Sequence, residues 1–268
     1  MVSRVTVAHA DQPTLAFVDG WPINIPTLED AVERIAAAAG DGQGFAVATL
    51  NLDHLVKLRR DALFRKAYSA ARFITADGAP VARIARRQSA RVERTAGADL
   101  LIPLCEEAAR RSLPVYIFGS DDGTLAEAAR TLSESMDGRL DICGTLAPSH
   151  RFDPCGPEAD AAIDRIARSG ARLCFVALGA PKQEIFAARA VERGVKAGFV
   201  CIGAAVDFVA GRQVRAPRLL REHGLEWLWR LSLSPARMAS RYAQSALLLL
   251  DLTVLEPLRG FRGETRQP

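Results

Sequence analysis

The sequence predicts an α/β fold, a mainly parallel sheet with helices on both faces, and three observations carry the prediction. Short apolar runs alternate along the chain with stretches of helical periodicity. Runs such as 45–50, 173–178 and 198–202 are apolar at nearly every position, as strands covered on both faces must be. Short glycine turns separate strands from helices, as in FGSDDG at 118–123 and ALGAPKQE at 177–184. The layer is therefore Rossmann-like, with a C-terminal amphipathic helical appendage. The expected division is a flexible start over 1–13, an α/β domain over 14–211 and an arginine-rich helical appendage over 212–268.

In order, 14–25 predicts two short strands about an Asp-Gly turn. A helix follows over 27–39, with Thr27 as its cap and Asp30 completing a box-like start. The strand 45–50 ends in a polar cluster of Thr49, Asn51, Asp53 and His54, and 53–70 has the pattern of one helix. The strand 72–75 runs into Asp77, Gly78 and Pro80, then a short helix over 81–87. An extended piece at 91–95 precedes a helix over 97–110, with Leu100, Leu101, Leu104 and Ala108 at helical spacing. A strand at 115–118, a glycine loop and a helix over 125–132 form the next unit. A strand at 141–143, a loop rich in proline and glycine over 145–157 and a helix over 158–168 follow. The strand 173–178 turns into a helix with Pro181 near its first position, and 198–202 is the last strand. One further helix is expected within 219–242. There Trp227, Leu228 and Leu231 form an apolar stripe, and Arg230, Arg237 and Arg241 recur at steps of seven and four.

Composition narrows the function classes. At 49% apolar and 25% charged, the 268 residues are ordinary for a soluble globular protein. Five cysteines without CxxC spacing are read as reduced core residues, and four scattered histidines make no zinc pattern, so no metal site is expected. No basic segment followed by a long apolar stretch opens the chain, so no signal peptide is expected. The longest apolar run, 246–250, is stopped by Asp251 and cannot span a bilayer. The net charge of +4 is a property of the tail, where residues 212–268 hold ten arginines, no lysine and five acids. Arginine favours bidentate contact with phosphate or carboxylate, which leaves nucleic acid, anionic lipid and a diphosphate ligand as partners to weigh. The hydrophobic arginine helix lacks the aromatic-interleaved basic groove of a nucleic-acid binder, so no nucleic acid is expected.

Asp77 stands where open α/β sheets place their ligands, just past a strand's carboxyl end. A carboxylate there can accept a proton from an attacking hydroxyl; the same Asp-Gly pair is also an ordinary turn. GSDDG and GAPKQE are candidate anion sites at helix N-termini, or simply strand terminators. Neither is a Walker loop and no GxGxxG is present, which counts against P-loop and common NAD enzymes.

An ordered set of motifs goes further: TLNLDH at 49–54, TADGAPV at 75–81, RTAGADL at 94–100, FGS at 118–120, ALGAPKQE at 177–184, VDFVAG at 206–211, RAP at 215–217 and GLEWLWRL at 224–231. This set resembles the WecG/TagA/CpsF family of bacterial glycosyltransferases over about residues 15–242. The resemblance implies an inverting enzyme that needs neither cofactor nor essential metal. It would move an N-acetylmannosamine-type or related sugar from a UDP-sugar to a polyprenyl-diphosphate-linked saccharide at the cytoplasmic membrane face. It casts Asp77 as general base, with Thr49 and Asn51 orienting hydroxyls and Arg94 and Gln183 contacting the sugar or departing phosphate. Gly119, Ser120, Gly179 and Lys182 would line the nucleotide pocket, and Asp207, Arg215, Arg218, Arg230 and Arg237 are further expected substrate contacts. The arginine and tryptophan helix suits an anionic membrane surface, where it could also cover the site; packing on the main domain or in a homo-oligomer is the other reading.

Overall fold

The structure is a computed structural model that describes residues 14–217, 219–220, 225–233 and 235–255. The expectation for 1–13 lies outside the described residues. The chain opens on an antiparallel hairpin of β1 (Ala16–Val18) and β2 (Trp21–Ile23). At its tip Asp19 and Gly20 have φ of 52° and 77°, the left-handed pair that joins twisted strands through a two-residue turn.

Six parallel strands follow: β3 (Phe45–Leu50), β4 (Phe73–Ala76), β5 (Val115–Gly119), β6 (Ile142–Leu146), β7 (Leu173–Ala177) and β8 (Gly198–Cys201). Their spatial order is β4-β3-β8-β7-β5-β6. Around them lie α1 (Leu28–Gly40), α2 (Leu52–Leu58), α3 (Ala62–Ser69), α4 (Ala79–Arg86), α5 (Gly97–Arg111), α6 (Asp122–Ser135), α7 (Pro157–Arg168), α8 (Lys182–Glu192) and α9 (Ala205–Val209). This is the expected α/β fold.

Alternation along each strand divides its side chains between two cores. Phe45 and Val47 of β3 enter one, with α1, α5, α6 and α9, while Ala46, Ala48 and Leu50 enter the other, with α2, α3, α4, α7, α8 and the hairpin. The centre of the second core is aromatic: Phe118 stacks on Phe186 at 4.3 Å, with Phe152 and Phe199 edge-on to Phe186. Helices α2 and α8 leave β3 and β7 towards one face, whereas α9 and α6 leave β8 and β5 towards the other. The carboxyl ends of these four neighbouring strands therefore open into a crevice, the usual ligand position of an open α/β sheet.

The edge strand β4 is covered in a way that fixes the site's rim. The Asn24 amide donates to the Arg72 carbonyl and accepts from the Ile74 N–H, both at 2.8 Å, so the outer edge does not stand unpaired. Beyond its end, the Thr95 N–H donates to the Ala76 carbonyl at 2.8 Å.

Four expectations are corrected. The 53–70 stretch is two helices, because Asp61 accepts the Phe64 N–H at 3.0 Å and caps a new start. Strand β6 runs to Leu146, into the expected loop, because Thr145 and Leu146 pair with Ile117 and Phe118. Cys155 is exposed, not in the core, since it lies in the loop before α7; the other cysteines are at least half-buried and all five are free. The tail is also not one helix: among the described residues 219–220 are helical and α10 (Glu226–Leu233) and α11 (Pro235–Leu250) are separate, followed by a π-helical turn at Asp251–Leu255. Pro235 has no N–H for the preceding turn, so the helix restarts and Arg230 does not share it with Arg237 and Arg241.

Helix α11 lies along α2, with Met238, Ser245 and Leu248 buried. Arg241 pairs with Asp53 at 2.8 Å and Arg59 with Asp251 at 2.8 Å across that contact. The opposite side of α11 leaves Leu247 and Leu250 exposed, and Val254 is exposed in the turn that follows. Among the described residues no helix is long and apolar enough to cross a membrane.

Candidate active site

The first cluster forms where β3 and β4 end side by side. Thr49 pairs with Thr75 and Leu50 with Ala76, so the residues that follow emerge together. Asn51 is extended, with φ −129°, and caps α2 by accepting the His54 N–H at 2.9 Å. Its oxygen is thereby committed, and its amide Nδ2 donates to Asp77 Oδ2 at 3.1 Å. The Asp77 N–H donates to the Leu50 carbonyl at 2.8 Å, which pins the half-buried carboxylate beside β3. Gly78 takes φ 80° so that α4 can turn away from it. Thr49 is buried on the floor one residue before the turn. Asn51 and Asp77 are thus in direct hydrogen-bond contact, with Thr49 near the end of β3 opposite Thr75.

Arg94 joins them through the backbone bridge to Ala76. Its guanidinium pairs with Asp99 at 3.0 Å. Asp99 sits in the first turn of α5, where Oδ2 also accepts the Ala96 N–H at 3.0 Å, and its other oxygen pairs with Arg215. Helix α5 can start here because of Gly97: a Cβ at that position would lie 2.7 Å from the Cys201 carbonyl oxygen at the end of β8. Asp99 therefore draws Arg94 and Arg215 together, although they are 121 positions apart. The Arg215 guanidinium lies over the Phe208 ring at 5.9 Å, and its buried Nε has no hydrogen-bond partner. The buried hydroxyl of Thr95, next to Arg94, is likewise unpartnered.

A second cluster lies at the end of β5. Gly119 has φ 124°, and a Cβ there would come within 2.3 Å of the Ala177 carbonyl oxygen. Ser120 follows at φ 50° and its hydroxyl donates to Asp207 Oδ1 at 3.0 Å, tying the β5 loop to α9. Burial raises the Asp207 pKa, with the Ser120 hydrogen bond opposing it. Asp121 is a helix cap, accepting the Thr124 N–H at 3.0 Å.

The loop after β7 and the start of α8 hold further candidates, Gly179, Lys182 and Gln183. Gly179 is exposed, with open space around it. Lys182 reaches sideways and donates to the Phe152 carbonyl at 2.8 Å. Gln183 is buried, its oxygen accepting the Gly203 N–H at 3.0 Å and its nitrogen donating to Glu184 at 2.8 Å, so both ends of the amide are engaged. Arg218 and the side chains of Arg230 and Arg237 lie outside the described residues. A separate groove of about 360 Å³ between α2 and α11 is lined by Asp53, Lys57, Pro181 and Arg241 among others, alongside the strand ends.

The family model for WecG/TagA/CpsF glycosyl transferases matches residues 17–262. The chain belongs to that family. A WecG/TagA/CpsF member is a glycosyltransferase of cell-surface polysaccharide synthesis, a class that takes a nucleotide-sugar donor and a lipid-linked acceptor in general. The match runs through every strand of the sheet and through α10 and α11. Read beside the WecG/TagA/CpsF motifs, two residues of this site went unseen in the sequence. Asp99 had a signal, an acid at the third position of a helix, which is where a capping acid stands. Glu184 had none, because an acid in a helix's first turn is ordinarily solvated.

Proposed function

We propose that the chain is an inverting transferase that moves an N-acetylmannosamine-type or related hexose from a UDP-sugar to a polyprenyl-diphosphate-linked saccharide, with Asp77 as general base. The observation that carries this reading is the pinned carboxylate of Asp77, held by Asn51 at a strand's carboxyl end within the same rim as two arginines. The acceptor hydroxyl oxygen attacks the anomeric carbon and its proton passes to Asp77. The bond from that carbon to the diphosphate oxygen breaks on the opposite side, and its electron pair leaves with the nucleotide. Charge then grows on the diphosphate, where Arg94 and Arg215 offer planar cationic donors in place of a metal. Gly119, Ser120 and Gly179 would receive the nucleotide.

The tail supports peripheral attachment to an anionic membrane surface on the cytoplasmic side. Leu247 and Leu250 are 68% and 49% exposed, and Trp227 is 45% exposed on α10. Exposed apolar side chains of this kind suit the interface between headgroups and acyl chains.

Transfer of radiolabel from a panel of UDP-sugars into butanol-extractable lipid tests the reaction. Label should enter from one donor, and Asp77→Asn should lower the rate at least ~100-fold while UDP affinity is kept. Near-wild-type turnover in that variant would remove Asp77 from the role. Vesicle pelleting tests the surface: Leu247→Asp should reduce binding to anionic vesicles, and unchanged pelleting would exclude this face.

A further inference from the structure

Between the two sides of the crevice runs a row of polar side chains shut away from solvent. Gln183, Glu184, His54 and Tyr68 are all buried. The Gly203 N–H donates to Gln183, and Gln183 donates to Glu184 Oε1. That oxygen faces His54 Nε2 at 3.8 Å, and His54 Nδ1 meets the Tyr68 hydroxyl at 2.9 Å. The backbone N–H of the same His54 is the one capped by Asn51, the partner of Asp77. The second oxygen of Glu184, Oε2, is buried without a partner. An unsatisfied buried carboxyl oxygen is costly, and an apolar side chain of equal volume would avoid that cost.

We propose that Glu184 is a positioning residue of the transferase: it holds the Gln183 amide against the loop after β8 and packs against His54, whose backbone N–H is capped at the end of β3 by Asn51, the partner of Asp77. The proposal rests on the transferase reading for its effect on rate, but the brace itself is a property of the fold. A glutamine amide can be turned end for end. With Glu184 accepting from its nitrogen, only its oxygen can face the Gly203 N–H, so one carboxyl oxygen selects the rotamer. Glycine at 203 takes φ 56°, and the bond from its N–H is what anchors that turn. At the other end the Tyr68 hydroxyl donates to Nδ1 when the His54 proton is on Nε2, and Nε2 stands 3.8 Å from Glu184, in contact but beyond hydrogen-bond reach.

Lys57 and Asp53 of α2 act on Glu184 through charge with opposite signs, and Glu184 in turn adds to the raising of the buried Tyr68 of α3 and Cys201 of β8, Asp77 also acting on Tyr68. Burial raises the Glu184 pKa to about 7, and the Gln183 hydrogen bond and Lys57 oppose the shift. Burial lowers His54 to about 3 and raises Tyr68, so both stay neutral while Glu184 changes charge. Protonation of Glu184 thus coincides with the range in which the transferase would work.

The test uses Glu184→Leu, Glu184→Gln and Glu184→Asp in the full chain. Glu184→Leu, which removes the acceptor oxygen, should lower kcat by ~10-fold to ~100-fold with donor KM little changed, as a misplaced loop does, and Gln or Asp, which keep an acceptor, should restore part of the rate. The kcat profile of the wild type should bend near neutral pH and that of Glu184→Gln should not. An infrared band of a buried protonated carboxyl should fade as pH rises through neutrality and be missing from Glu184→Gln. This band reads the brace even if no donor is ever turned over, which separates failure here from failure of the transferase reading. Unchanged kcat at every pH, or a fall in kcat matched by lost thermal stability with the band and profile intact, would overturn the proposal.

Discussion

Asp99 and Asp53 are each gripped by two cations, and their settings differ. Asp99 holds Arg94 and Arg215 at the strand-end crevice, and the three side chains are 13%, 21% and 24% exposed. Asp53 holds Lys57 and Arg241 where α11 meets α2, and there Arg241 is 47% exposed. Burial opposes the charge on Asp53, but hydrogen bonds from Arg241 and Lys57 outweigh it and hold its carboxyl below the usual range. The same chemistry serves opposite ends. A sheltered pair, with a buried guanidinium nitrogen left over, is arranged for a third party, because removing solvent strengthens every charge interaction that remains. A half-exposed pair fastens one helix to another and is screened by salt.

Breaking the sheltered pair should cost most. Asp99→Asn keeps the shape but removes the charge that draws both arginines together, so transfer should fall about 100-fold and stability by about 2 kcal/mol. If activity survives while chemical denaturation shows the loss of stability, the arginines are structural only.

The next effect sharpens the comparison by adding a buried acid with no cation in contact. Glu184 has its pKa raised by burial, so the folded chain holds its proton more tightly than the unfolded chain. Its contribution to stability is full below the unfolded value of 4.5 and is lost as pH rises through about 7. His54 works in reverse: its pKa is lowered to about 3, so its contribution is present above 6.5 and is lost as pH falls. The two slopes oppose one another in weakly acidic solution. Glu184→Gln should therefore gain stability relative to wild type between pH ~5 and ~8, by a total on the order of 3 kcal/mol. A constant difference between the two proteins across that range would show that Glu184 does not change charge.

Breaking the exposed pair should cost less. Asp53→Asn should lower stability by no more than about 1 kcal/mol, and the difference should shrink in high salt. A salt-insensitive loss would mean that Asp53 acts through packing. The smallest effect belongs to Lys66→Ala, since Lys66 and its partner Glu192 are both more than 60% exposed. No change in the thermal midpoint is expected there.

Much of this site could be read in the sequence because its logic is local. Asn51 and Asp77 each follow a strand by one residue, and neighbouring parallel strands in register deliver such residues together. Thr27 and the Asp19-Gly20 turn are short-range signals of the same kind, and both appear as expected. The single-helix readings of 53–70 and 219–242 failed at Asp61 and Pro235, where a cap and a missing N–H overrode an unbroken apolar period.

By itself, then, the sequence determined the α/β layer and the strands that line the crevice, because apolar period, turn residues and strand ends act over a few neighbours, and its ordered motifs carried the resemblance to the family. The tertiary structure alone decided which groups are shut away from water and which distant groups meet: Gln183 turned inward on Glu184, Lys182 drawn to Phe152, Arg215 brought to Arg94 by Asp99, and α11 laid along α2. Burial and long-range pairing depend on how the layers close over one another, and no periodicity along the chain encodes that closure.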